Sequence, residues 1–154
     1  GNPGGFLDAA VQIASWFLPA GKVVATEDFG ERQSPIIYRS RGYDVFNEHL
    51  SMVILVDSGS ASASEILAGA LQEHGKATLV GEKTFGKGSV QELLKVTPET
   101  SLKLTIAQWK TPLGNHISKG GLTPDFEIKR TPEDRTAGRD PQLEKAVEIL
   151  LSNN

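Results

Sequence analysis

The sequence predicts a single α/β domain, and two neighbouring stretches carry most of that prediction. Met52-Val53-Ile54-Leu55-Val56 is short, rich in β-branched residues and apolar on both faces, the pattern of a central buried strand covered by helices. It leads through the small-residue turn at 58–61 into residues 62–74, where Ala63, Ile66, Leu67, Ala70 and Leu71 share one helical face and Gly75 supplies a stop. A length of 154 residues suits one core rather than two.

The other elements follow in chain order. Phe6, Ala9, Ala10, Ile13, Trp16 and Phe17 recur at three- and four-residue spacing, so a helix is expected between the Gly4-Gly5 turn and Pro19. Residues 23–27 and 35–39 read as a surface hairpin at a sheet edge. Residues 77–81 form a further short strand, 102–109 alternate with period two, 111–115 make a turn and 122–128 resemble a last strand. Asp140 caps, and Pro141 opens, a closing helix that carries Leu143, Val147, Leu150 and Leu151.

Composition narrows the function. The net charge of −3, with Lys and Arg scattered, leaves no basic stripe for phosphates, so nucleic acid is not an expected partner. The absence of cysteine excludes disulfides and thiolate metal sites; it suits an oxidising envelope but leaves the compartment open. Apolar runs fall far short of the ~20 residues of a membrane span. The opening Gly1-Asn2-Pro3-Gly4-Gly5, without initiator methionine or export signal, reads as part of a longer protein.

Two stretches can carry chemistry. Ser58-Gly59-Ser60-Ala61-Ser62-Ala63-Ser64-Glu65 lies between the central strand and its helix, where backbone N–H groups are unpaired and the helix dipole is positive. Ser62-x-x-Glu65 also reads as a plain capping box. In Thr84-Phe85-Gly86-Lys87-Gly88-Ser89-Val90-Gln91, two glycines frame one lysine and permit close backbone approach. Alone, Lys87 also reads as a solvent-facing loop residue, and the P-loop pattern fails because Gly88 follows it.

Taken in order, these two stretches resemble the signature pair of carboxyl-terminal processing proteases. Asn2-Pro3-Gly4-Gly5 resembles that family's glycine turn, while Gly120-Gly121-Leu122-Thr123-Pro124-Asp125 and Gly138-Arg139-Asp140-Pro141-Gln142-Leu143 resemble its closing segments. The resemblance covers nearly the whole chain. It implies an α/β ClpP/crotonase-like fold, a spiral of β-β-α units, and makes residues 1–154 a protease catalytic core lacking the family's PDZ domain and N-terminal segment. It further implies Ser62 as nucleophile, Lys87 as general base and Gln91 as supporting amide, with no cofactor or metal. The implied activity is endoproteolysis near protein C-termini through an acyl-enzyme. The implied partners are protein substrates with exposed, often nonpolar C-termini, the PDZ domain of the parent chain and, further, a homo-oligomer. The implied compartment is the bacterial envelope, periplasmic or membrane-anchored, or alternatively the thylakoid lumen.

Elementary chemistry sets conditions on these roles. Lysine takes a proton from serine only as the neutral amine, whereas an exposed lysine titrates near about 10.4; Lys87 must therefore be desolvated in the assembled enzyme, and Phe85 is expected to help exclude water. Positions 87 and 91 of an ideal strand lie about 13 Å apart, so Gln91 can steady Lys87 only if the chain bends at Gly88. The oxyanion of a tetrahedral intermediate needs two donors: the Ala63 N–H is one, and Gly4 or Gly5 offers the other. His49, His74 and His116 lack the context of a Ser-His-Asp triad, and His74 is expected as a surface residue favoured by the helix dipole. Two rivals stand beside the peptidase: a noncatalytic fragment acting as a folding or assembly module, and an acyl-CoA-type enzyme whose oxyanion hole handles an enolate.

Overall fold

The computed structural model describes residues 1–43, 45–46, 49–118 and 120–152. Helix α1 (Leu7–Ala14) follows the glycine turn, and the chain keeps coiling to Leu18, whose N–H reaches the Ala14 carbonyl at 3.0 Å. Strands β1 (Val23–Asp28) and β2 (Ile36–Arg39) form the expected antiparallel hairpin. They belong to a four-stranded sheet ordered β2-β1-β6-β5, completed by β5 (Ser89–Lys95) and β6 (Ser101–Lys110), and β2 stands at its edge. Periodicity did not single out β5, because its apolar residues fall on both faces between Gln91, Glu92 and Lys95. Tyr38 of β2 packs edge-on against Trp109 of β6 and donates to the buried Glu27 at 2.9 Å; burial, then this carboxylate, pushes the Tyr38 hydroxyl up to about 12.

The second sheet is parallel and ordered β3-β4-β7, from β3 (Val53–Val56), β4 (Thr78–Gly81) and β7 (Phe126–Glu127). Two expectations are corrected here. Among the described residues, the stretch read as a central buried strand stands at the sheet edge as β3: Val56 is buried, yet Leu55 on the opposite face is 43% exposed, and β4 takes the middle. The last strand spans two residues rather than 122–128. The Asp125 carboxylate accepts the Leu79 N–H at 2.7 Å, so a side chain replaces the next backbone rung. Both corrections leave the α/β class intact.

Helix α2 (Ala63–Glu73) lies between the sheets, touching α1, β1 and β4. Its Ile66, Ala70 and Leu71 join Ala10, Val11 and Ala14 of α1, Val24 and Ala25 of β1, Trp109 and Ile117 in the main core. Ala68, on another side of the helix, packs with Val56, Leu79 and Leu122. Gly75 ends α2 as expected, while His74 is engaged rather than merely exposed: its Nε2 donates to the Val23 carbonyl at 2.7 Å and ties the helix end to β1. Two further helices close the chain, the short α3 (Pro132–Thr136), capped by Thr131, and α4 (Pro141–Ser152), whose Leu143 N–H is capped by Asp140 at 3.1 Å. The latter lies against β3 and β4.

Because Leu71 is 1% exposed at the centre of the main core, Leu71→Ala is expected to cost about 2–5 kcal/mol. The check is a urea unfolding curve in which the midpoint falls and the slope is retained.

Candidate active site

Ser62 occupies the tight turn between β3 and α2 with φ 59° and ψ −123°; among the described residues it is the only non-glycine with positive φ. An L-residue adopts that conformation only when its surroundings impose it. Here the Ser62 carbonyl accepts the Glu65 and Ile66 N–H groups at 2.9 and 3.0 Å, and the Ser62 N–H donates to Glu65 Oε2 at 2.8 Å. The glycine turn braces the other side: the Ala61 N–H and the Ser64 hydroxyl both donate to the Asn2 carbonyl, at 2.9 and 2.7 Å.

The two glycines of that turn do different work. Gly4 has φ +100°, and a Cβ there would lie 2.6 Å from the Ala61 carbonyl oxygen and 2.8 Å from the Ser62 Cβ. Its N–H is already bound to Asn2 Oδ1 at 3.0 Å. A Cβ on Gly5 would meet nothing within 4 Å. Among the described residues neither the Gly5 N–H nor the Ala63 N–H has a hydrogen-bond partner. Gly4 is therefore the close-packing glycine, and Gly5 offers the unpaired donor beside that of Ala63. An apolar hollow of about 190 Å³ opens here, lined by Phe6, Ala9, Ile13, Ala63 and Leu67 among others.

The Lys87 segment reaches the same place from the opposite side. The Phe85 N–H donates to the Ser60 carbonyl at 3.0 Å, and the Lys87 N–H to Glu65 Oε2 at 3.0 Å. Ser62 N lies 2.8 Å and Lys87 N 3.0 Å from that one oxygen, so the two nitrogens are at most about 6 Å apart. Thr84 and Gly86 donate to the other oxygen, Oε1, at 2.5 and 2.7 Å. The Gly120-Gly121 pair seats this loop from below: the Leu122 N–H donates to Thr84 Oγ1 at 2.7 Å, and a Cβ on Gly121, at φ +74°, would lie 2.3 Å from the Thr84 carbonyl oxygen.

The Lys87 side chain itself is exposed, and Phe85 is 66% exposed, so Phe85 does not exclude water in this chain as expected. The chain does bend at Gly88, whose N–H turns back to the Gly86 carbonyl at 3.0 Å. A β-bulge follows between Val90 and Gln91, which places an exposed Gln91 opposite Thr105. The sequence located both loops but not Glu65 as the junction between them, since a glutamate three residues after a serine already has an explanation as a helix cap. Among the described residues no group of three or more His, Asp or Glu side chains is placed to hold a metal ion.

Known proteins are similar to this chain in sequence and fold. The profile of Peptidase family S41 matches residues 1–128. A carboxy-terminal-processing protease of Bartonella bacilliformis is 38% identical over 142 residues, covering 92% of this chain and 32% of the relative. A carboxyl-terminal-processing protease of Picosynechococcus is 42% identical over 158 residues, covering 99% of this chain and 36% of the relative. The structure of a photosystem II D1 C-terminal processing protease superimposes with a TM-score of 0.74 at 33% identity, over 83% of this chain and 32% of that one. The chain thus spans about a third of the length of these relatives.

Replacing Gly4 by Ala is expected to strain the turn by about 1–2 kcal/mol and to push Ala61 and Ser62 aside, whereas Gly5→Ala should leave fold and stability near the unmodified protein. Thermal melts of the two variants, side by side, check the contrast.

Proposed function

This chain belongs to peptidase family S41, and from that premise we propose that it is the catalytic core of a serine endopeptidase that cleaves proteins near their C-termini with Ser62, Lys87 and Gln91. The observation that carries the proposal is the shared oxygen of Glu65, which holds the Ser62 and Lys87 backbones within reach of one another beside two unpaired N–H donors.

In the proposed reaction the neutral Lys87 amine accepts the Ser62 hydroxyl proton as Oγ attacks the scissile carbonyl carbon. The Ala63 and Gly5 N–H groups take up the resulting oxyanion, each at the start of a helix whose dipole favours negative charge. The Lys87 ammonium then passes its proton to the departing amide nitrogen, the C–N bond breaks, and an ester to Ser62 is left. Water, deprotonated by the same amine, attacks that ester; the bond between the acyl carbon and Ser62 Oγ breaks, the Lys87 ammonium returns its proton to Oγ, and the acid is released. Gln91 can steady Lys87 through its amide oxygen once both side chains are covered.

An amine is neutral near pH 7 only when water is removed from it, and Lys87 is exposed in this chain. The proposal therefore includes a covering step, supplied by the bound substrate tail or by the PDZ domain of the parent protein. The substrates are proteins with exposed, often nonpolar C-termini, and the compartment is the bacterial envelope or, alternatively, the thylakoid lumen. No described helix is long and apolar enough to cross a membrane. The same exposure of Lys87 favours a second reading for the chain on its own, a folding or assembly module that gains activity only within the parent protein.

In the intact parent protein, Ser62→Ala and Lys87→Ala are each expected to lower cleavage of a substrate with a nonpolar tail by at least about 10³-fold. Gel or mass-spectrometric assay of the cut product measures this, and retained cleavage in both variants defeats the dyad. Activity in the parent with none in residues 1–154 supports the module reading for the separate chain.

A further inference from the structure

We infer that Glu65 is a positioning residue for this reaction: one buried carboxylate sets the geometry between nucleophile and base by accepting hydrogen bonds from the backbones that carry both. The inference rests on the Ser62–Lys87 reading above.

Glu65 is 0% exposed, and four donors converge on it: the Ser62 and Lys87 N–H groups on Oε2, and the Thr84 hydroxyl and Gly86 N–H on Oε1. A helix cap accounts for the Ser62 bond alone. The other three come from a loop on the far side of β4, which a cap does not need. A buried carboxylate is costly unless fully hydrogen-bonded, and here both oxygens are doubly occupied. Only an acceptor-only group satisfies four donors at once. Because one oxygen accepts both the Ser62 and the Lys87 N–H, it limits the separation between the two backbones, and losing that acceptor frees each to move relative to the other.

Glutamine tests this directly. It keeps one acceptor oxygen and replaces the other with an NH₂, so in one orientation the Ser62 and Lys87 N–H groups face a donor and in the other the Gly86 N–H does, the Thr84 hydroxyl being able to turn and accept. The experiment uses the intact parent protein and a peptide with a nonpolar tail, comparing the unmodified enzyme with Glu65→Gln and Lys87→Ala. Expected for Glu65→Gln is a kcat about 100-fold lower, KM within about threefold, and a displaced ascending limb of the kcat/KM–pH profile, because the base no longer meets the hydroxyl in the same geometry. Thr84→Val removes one donor to Oε1, together with the acceptor of the Leu122 N–H, and leaves the carboxylate; it is expected to lower kcat about tenfold with the same displaced pH limb, and carries the test if Glu65→Gln does not fold. A folded Glu65→Gln with unchanged kcat, or with lower kcat but an unmoved pH limb, overturns the positioning role while the dyad stands. Retained cleavage in Lys87→Ala overturns the dyad and this inference with it.

Discussion

The positive φ of Ser62 is the constraint around which this fold is organised. Such a conformation costs about 1–3 kcal/mol for an L-residue and persists only where neighbouring structure overdetermines it. Three chain segments supply that pressure: the turn at Asn2–Gly4, the first turn of α2, and the loop that follows β4. Two of them would be hard to bring together in an antiparallel sheet. In the parallel pair β3–β4 they meet without strain, because both strands deliver their following loops to the same end of the sheet.

The same economy of placement explains the two unpaired donors. A helix begins with N–H groups that its own carbonyls cannot reach, and α1 and α2 both begin at this spot. Asn2 then decides which glycine contributes, since its side chain takes the Gly4 N–H and leaves that of Gly5. A polar residue in the turn thus selects the donor, while the missing side chain of Gly4 makes room for the serine.

Much of this was legible in the residues, and the parts that were not share a cause. The helix at Ala63–Glu73, the hairpin of β1 and β2, and the cap at Asp140 follow from periodicity and local hydrogen bonding, which the sequence displays directly. The edge position of β3 did not follow, because an apolar run reports how much surface a strand tends to bury and not where it stands among its neighbours. The shortening of the last strand turned on Asp125, whose carboxylate occupies a rung that only tertiary structure brings near. Ser62, Lys87, Ala63 and the glycine turn were located by their motifs, yet the motifs named Glu65 only as a local cap. Its three long-range donors lie 19 to 22 residues away in sequence, beyond any pattern of helical spacing.

One consequence concerns the hairpin of β5 and β6. Leu94 faces Leu102 across it, and Glu92 faces Leu104, yet these leucines are 38–50% exposed and Leu93 on the reverse side is 67% exposed. At this end the two strands are wetted on both sides, whereas Val90 and Trp109 at the other end pack on the main core, so the amides of the hairpin tip are expected to open to deuterium with less work than those near Trp109. The lysine segment enters at its root. The segment is therefore gripped by the interior at Glu65 and again at the hairpin root, where Val90 and Trp109 pack on the core, and the exposed leucines begin only beyond Gln91.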